Sequence, residues 1–158
     1  MEKLKELVPY IIILVVVILI RTFIVTPVRV NGPSMDTTLK DKEIMILNKL
    51  APLKRGKIVV VDIKTEKVIK RLIGLPGDSI YCSDNKLYIN DELYEEDYTS
   101  SKTSDFAKIY LKEDEYFVLG DNRIVSMDSR SFGSVSKDQI LGVSDFVLFP
   151  FNKFGKVK

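Results

Sequence analysis

From Val8 to Ile20 the chain reads VPYIIILVVVILI without a charge, and Phe23-Ile24-Val25 extends the run past Arg21. The stretch is roughly 18 residues, close to the ~20 that cross a bilayer as a helix. Arg21 sits near its end, where a long basic side chain can snorkel to an interface. A cleaved secretory signal would need small residues after the apolar run, but the sequence there is RTFIVTPVRVNGPS, so an uncleaved anchor is expected. A buried core helix of this apolarity fits so small a domain poorly. Lys3 and Lys5 flank one end while Arg21 and Arg29 flank the other, so charge leaves the orientation undecided.

After Pro27 the pattern shifts to short apolar runs between turn residues, as in antiparallel β structure. Strands are expected at Glu43–Asn48, Lys57–Ile63, Val68–Ile73, Ser79–Tyr81, Lys86–Asn90, Tyr116–Leu119 and Val143–Phe149, most of them rich in Val, Ile, Tyr or Phe. Between them lie Asn31-Gly32-Pro33, Lys54-Arg55-Gly56, Leu75-Pro76-Gly77-Asp78, Asn90-Asp91 and Gly120-Asp121-Asn122. KLYIN-DE-LYEE reads as a hairpin, and Glu92–Asp114 as a polar, mobile surface excursion. The expected organisation is a tail and transmembrane anchor over residues 1–28, then a mainly β domain over 29–158. There is no internal repeat and no low-complexity tract.

Composition narrows the chemistry. The 158 residues suffice for one domain with an appendage. A net charge of +2 from 24 basic and 22 acidic residues argues against a nucleic-acid partner held by phosphate neutralisation. One cysteine, Cys82, excludes an internal disulfide and a multi-cysteine zinc site. Histidine is absent, which removes the Ser-His-Asp triad, the Cys-His dyad, the HExxH metal site and sortase-like transpeptidation. Any general base must be Lys, Asp, Glu or Tyr.

Three segments carry candidate chemistry. In Val30-Asn31-Gly32-Pro33-Ser34-Met35 a serine follows Gly-Pro in an exposed, restricted turn that suits a nucleophile, although a plain turn serine is far commoner. In Val68-Ile69-Lys70-Arg71-Leu72-Ile73, strand alternation places either Lys70 or Arg71 among apolar neighbours. A lysine so placed is pushed toward its neutral form. Serving as a base near neutrality means falling from about 10.4 to about 7–8, worth about 4 kcal/mol. The competing reading is a solvent-facing Lys-Arg pair on an edge strand. In the third, Gly120–Gly133, Ser126, Asp128 and Arg130 alternate, so an extended chain would align them into a hydrogen-bonded row ending in a carboxylate-guanidinium pair.

Together these segments resemble the bacterial type I signal peptidases, membrane-anchored Ser-Lys endopeptidases that remove signal peptides from exported proteins. GPSM is similar to the family's nucleophile box and VIKRLIGLPGD to its lysine box. GDNRIVSMDSRSFG matches the pattern GDNR-x-x-S-x-D-S-R-x-F/W-G at every specified position. The resemblance implies Ser34 as nucleophile and Lys70 as general base. It further implies Ser126 as the hydroxyl orienting Lys70, Asp128 paired with Arg130, and Asp121 paired with Arg71. It also implies an antiparallel two-sheet β domain of the signal peptidase and LexA-like type on the outer membrane face, with a cytoplasmic N-terminus. No metal or cofactor is implied; a monomer is expected, with preprotein signal peptides and the lipid bilayer as partners. Val30, Met35, Leu39 and Ile69 are expected to form shallow substrate pockets for small side chains, hence an A-x-A preference.

Two departures stand out. The nucleophile box usually reads S-M-x-P-T-L, whereas here Thr37 replaces the proline, and a φ constraint after Ser34 is expected to be lost. Some relatives also carry a serine two positions before the nucleophile; here Gly32 stands there, leaving the Ser34 N–H as the assignable oxyanion donor. Two other classes compete. A membrane-tethered binding module would leave the Ser-Lys-Ser-Asp set unexplained. A self-cleaving LexA-like repressor needs a DNA-binding region where Met1–Val28 is apolar.

Overall fold

The structure, a computed structural model, describes residues 2–99 and 101–157. The apolar run forms helix α1 (Glu2–Phe23), and none of its Glu6–Phe23 window is buried against the rest of the chain. A helix exposing Ile11 through Ile20 has no protein core to cover it, which fits a single-pass membrane anchor.

Strand β1 (Val25–Arg29) follows after one residue and pairs with β2 (Ile44–Asn48) through five consecutive partners, from Val25↔Asn48 to Arg29↔Ile44. The sheet thus begins at Val25, within the 1–28 segment grouped by sequence as tail and anchor. Thr26, Pro27 and Val28, grouped with the tail and anchor by sequence, have their backbone in the sheet.

The remaining strands are β3 (Ile58–Asp62), β4 (Lys67–Gly74), β5 (Ser79–Ser83), β6 (Lys86–Ile89), β7 (Glu92–Leu93), β8 (Phe106–Tyr110), β9 (Glu115–Leu119), β10 (Val135–Ser136), β11 (Ile140–Phe149) and β12 (Gly155–Lys156). They make an eight-stranded sheet in the order β1-β2-β11-β3-β4-β9-β10, with β12 on β11, and a four-stranded sheet in the order β7-β6-β5-β8. All pairings are antiparallel, as expected from the sequence.

Turn chemistry sets the smaller sheet. Asp84-Asn85 and Asn90-Asp91 each hold two successive residues at positive φ, the two-residue turn whose twist matches hairpin strands. The hairpin expected over KLYIN-DE-LYEE thus turns on Asn90-Asp91, one residue earlier than read, with Ile89 opposite Glu92. The polar excursion 92–114 contributes β7 and β8, because Phe106 and Ile109 pack onto the core formed by Ile73, Ile80, Leu87, Phe117 and Leu119.

A second core, built from Val59, Val61, Leu72, Val118 and Val143, covers one face of the larger sheet. The third gathers Val30, Met35, Leu39, Met45, Ile58 and Val147 beneath the Gly-Pro-Ser turn. Each such side chain contributes about 1.5–3 kcal/mol on burial. These cores give β4 cover on both faces, so Lys70 and Arg71 are both buried, at 3% and 5% exposure. The choice between them posed by strand alternation does not arise: β4 is an interior strand between β3 and β9, Lys70 turns toward Ser34 on one face, and the Tyr98 ring covers Arg71 on the other.

Candidate active site

Lys70 extends from β4 to place Nζ 2.8 Å from Ser34 Oγ. Burial pushes its amine below the ordinary value of 10.5, while the carboxylates of Asp128, Glu66 and Asp121 pull it partly back. A lysine held toward its neutral form against a hydroxyl is the arrangement that proton abstraction requires.

Ser34 is fixed from several directions. Its carbonyl accepts the Asn122 N–H at 3.0 Å, and the turn behind it closes through Asp36 N–H to the Pro33 carbonyl and Leu39 N–H to the Met35 carbonyl. The second of these bonds turns Leu39 wholly into the core; of the four expected pocket residues it is the one that does not line the groove beside Ser34. That groove, of about 200 Å³, runs between Arg29–Met35 and Glu66–Lys70 and is closed by Val125 and Met127. Val30, Met35 and Ile69 line it; Val125 and Met127 lie in an irregular loop with no periodicity to mark them in the sequence.

Gly32 adopts φ +83° and gives its N–H to Asp41 Oδ1 at 2.9 Å. It offers an oxyanion neither a hydroxyl nor its amide. The Ser34 N–H has no hydrogen-bond partner among the described residues.

Behind the pair, Asp128 is fully buried. It accepts Arg130 Nε at 2.8 Å and Nη2 at 2.9 Å, as expected, together with the Gly120 N–H at 3.1 Å. The expected extended row is not formed: Ser129–Phe132 is a short helix, α2, with Asp128 as its N-cap accepting the Arg130 N–H. A carboxylate at that position satisfies orphan amide donors, so the chain coils instead of extending. The expected hydrogen bond from Ser126 to Lys70 is also absent. Ser126 Oγ is buried with no partner among the described residues, packed against Gly120 beside the Ser34 carbonyl.

Arg71, on the opposite face of β4, meets Asp121 through Nε at 2.8 Å and Nη2 at 2.7 Å. The Tyr98 ring lies 3.9 Å from the guanidinium carbon. Arg123 makes a second buried pair, with Glu96, and Tyr98 donates to the same carboxylate at 2.6 Å. Neither Tyr98 nor Glu96 was marked by sequence, since both sit in a polar stretch whose partners are distant along the chain. Cys82 takes no part: burial, with Asp105 nearby, pushes its thiol up to about 11, leaving it protonated and unreactive. Among the described residues no cluster of His, Cys, Asp or Glu is arranged to hold a metal.

A single apolar helix feeding an antiparallel β domain, with a hydroxyl set against a buried amine, has the layout of a membrane-tethered serine hydrolase. Comparisons with known proteins narrow it further. The family model described as "Signal peptidase, peptidase S26" matches residues 4–149. A signal peptidase I of Bacillus amyloliquefaciens is 42% identical, the match covering 94% of this chain and 89% of that protein. Signal peptidase I T of Bacillus subtilis is 42% identical over 89% and 82%, and signal peptidase IB of Staphylococcus aureus 35% identical over 95% and 93%. A crystal structure of a signal peptidase I from Enterococcus faecalis superposes with a TM-score of 0.54 at 35% identity, covering 59% of this chain and 97% of that one. The chain belongs to the signal peptidase family, peptidase S26. With the family comes the enzyme class, a serine endopeptidase that cleaves signal peptides.

Proposed function

We propose that the chain cleaves signal peptides from exported preproteins through Ser34 as nucleophile and Lys70 as general base. The supporting observation is the 2.8 Å approach of a buried lysine to the Ser34 hydroxyl. Neutral Lys70 accepts the Ser34 proton as Oγ attacks the scissile carbonyl. The Ser34 N–H meets the developing oxyanion, and charged Lys70 returns the proton to the leaving amine. The resulting acyl-enzyme is hydrolysed by water that the same lysine deprotonates. Asp128, holding Arg130 and the Gly120 amide, fixes the wall behind the pair, and the unpartnered Ser126 hydroxyl is the group available to orient Lys70.

The substrate lies in the groove as an added strand between Arg29–Met35 and Glu66–Lys70, its main chain read by backbone hydrogen bonds. Val30 and Met35 are almost wholly buried in the groove floor, so its pockets are shallow and favour small side chains, hence cleavage after A-x-A. The enzyme acts as a monomer without metal or cofactor, its N-terminus cytoplasmic and its β domain outside.

The test is cleavage of a preprotein with an A-x-A junction by the full chain in detergent, the cut located by mass spectrometry. Ser34→Ala and Lys70→Ala should each abolish it. Retained cleavage in either variant removes that residue from the mechanism.

A further inference from the structure

The loop that carries Ser34 holds two non-glycine residues at positive φ, Lys42 at +71° and the β-branched Thr37. Thr37 has φ +95°, a conformation a β-branched residue keeps only where its surroundings hold it. Two hydrogen bonds do so: its N–H donates to Asp36 Oδ1 at 2.8 Å, and its hydroxyl donates to the Tyr98 carbonyl at 3.0 Å, 61 residues along the chain. The proline that the similar nucleophile box carries at this place could make neither bond, and its ring fixes φ near −65°. The constraint expected to be lost with proline has been replaced by a different one.

The acceptor of the Thr37 hydroxyl is itself anchored. The Tyr98 ring stacks on Arg71, its phenol bonds Glu96, and the neighbouring Thr99 hydroxyl donates to the Asp121 carbonyl at 2.6 Å. Asp121 is fully buried and grips Arg71 with both oxygens, while also accepting the Thr38 hydroxyl. The next residue, Asn122, holds the Ser34 carbonyl. The nucleophile loop is therefore fastened at Ser34, Thr37 and Thr38 to one body built on Arg71 and Asp121.

We propose that Thr37 is a positioning residue for Ser34, its hydroxyl bond to the Tyr98 carbonyl holding the nucleophile loop closed over Lys70. The inference rests on Ser34 and Lys70 acting as nucleophile and base. It assigns to the segment around Tyr98 a part in catalysis exercised entirely through the loop.

The test uses the full chain in detergent, with preprotein cleavage followed across pH and thermal melting in parallel. Thr37→Val keeps the shape and removes the hydroxyl; kcat should fall about five- to tenfold, the effect of one hydrogen bond, with KM within about twofold. The acid limb of its kcat/KM should also move to higher pH. A loosened loop admits water to Lys70, whose charged neighbours Asp128, Glu66 and Asp121 are unchanged. Thr37→Ser should keep both wild-type rate and profile. Thr37→Gly adopts φ +95° freely, so it should melt no lower than wild type yet lose rate as Thr37→Val does. A Thr37→Val enzyme with wild-type kcat and pH profile, or a Thr37→Ser enzyme as slow as Thr37→Val, overturns the proposal. Ser34→Ala and Lys70→Ala run alongside: activity in those two refutes the Ser-Lys reading itself, whatever the Thr37 variants do.

Discussion

Gly120 lies where the nucleophile loop, Ser126 and Asp128 converge, and its missing side chain is a geometric requirement. A Cβ built there would stand 2.2 Å from Ser126 Oγ, 2.6 Å from Ser126 Cβ and 2.6 Å from the Ser34 carbonyl oxygen. The serine oxygen can rotate away, but Ser126 Cβ and the Ser34 backbone cannot without moving the loops that carry them. Reaching ordinary contact at about 3.4 Å requires a displacement of most of an ångström, and misplacement of about 1 Å in a catalytic array costs about 100-fold in rate. Overpacking of this kind also costs about 1–3 kcal/mol of stability. Gly120→Ala should therefore lose about 100-fold in kcat per folded molecule. The control is Gly74→Ala, whose Cβ would meet Ile80 Cδ1 at 2.1 Å and Leu111 Cδ1 at 2.6 Å in the core beneath the smaller sheet. That variant should melt lower while its folded fraction cleaves near the wild-type rate. Preprotein cleavage normalised to folded protein by circular dichroism measures both. Gly120→Ala within about threefold of wild type, or Gly74→Ala slowed as much as Gly120→Ala, would refute the reasoning.

Two further outcomes follow from buried charge. Burial depresses Lys70, so between its folded-state value and 10.5 the unfolded chain binds a proton that the folded chain does not, and stability falls as pH drops through that window. Lys70→Met should abolish cleavage yet raise the melting temperature at pH 7 more than at pH 11; equal shifts at both would show that the amine carries no burial penalty. The Arg123–Glu96 pair is almost wholly buried, at 0% and 9% side-chain exposure, so Glu96→Ala strands a charge and should cost about 3–5 kcal/mol in denaturant unfolding. The exposed neighbour Glu95→Ala should be close to neutral.

Much of this architecture is local enough to be legible in the chain. The span, seven of the strands and the turn at Asn90-Asp91 follow from apolar runs and turn residues, because each depends on neighbours within a few positions. The Asp121–Arg71 and Asp128–Arg130 pairs followed from the family resemblance and stand at hydrogen-bond distance. What escaped depends on contacts remote in sequence. Phe106–Tyr110 is a strand because β5 offers it an edge, which nothing in a polar stretch announces. Nearness to Ser34 in sequence suggests that Leu39 faces substrate, but the turn that holds Ser34 rotates it inward. An extended chain would set Asp128 in a row with Ser126 and Arg130, whereas its carboxylate caps a helix.

The joint between helix and sheet has no slack. One residue separates Phe23 from Val25, and the joint is crossed by Thr26 Oγ1 to the Arg21 carbonyl at 2.9 Å, Lys49 Nζ to the Thr22 carbonyl at 2.6 Å and Lys49 N–H to the Ile24 carbonyl at 2.9 Å. From Val25 to Ser34 the chain can reach at most about 30 Å. With α1 seated in a bilayer, these bonds hold the start of the sheet against the end of the helix, and Ser34 lies within that reach of the lipid. On the proposed function, Ser34 would then favour, among bonds of acceptable sequence, the one that a substrate's own membrane segment presents within that reach.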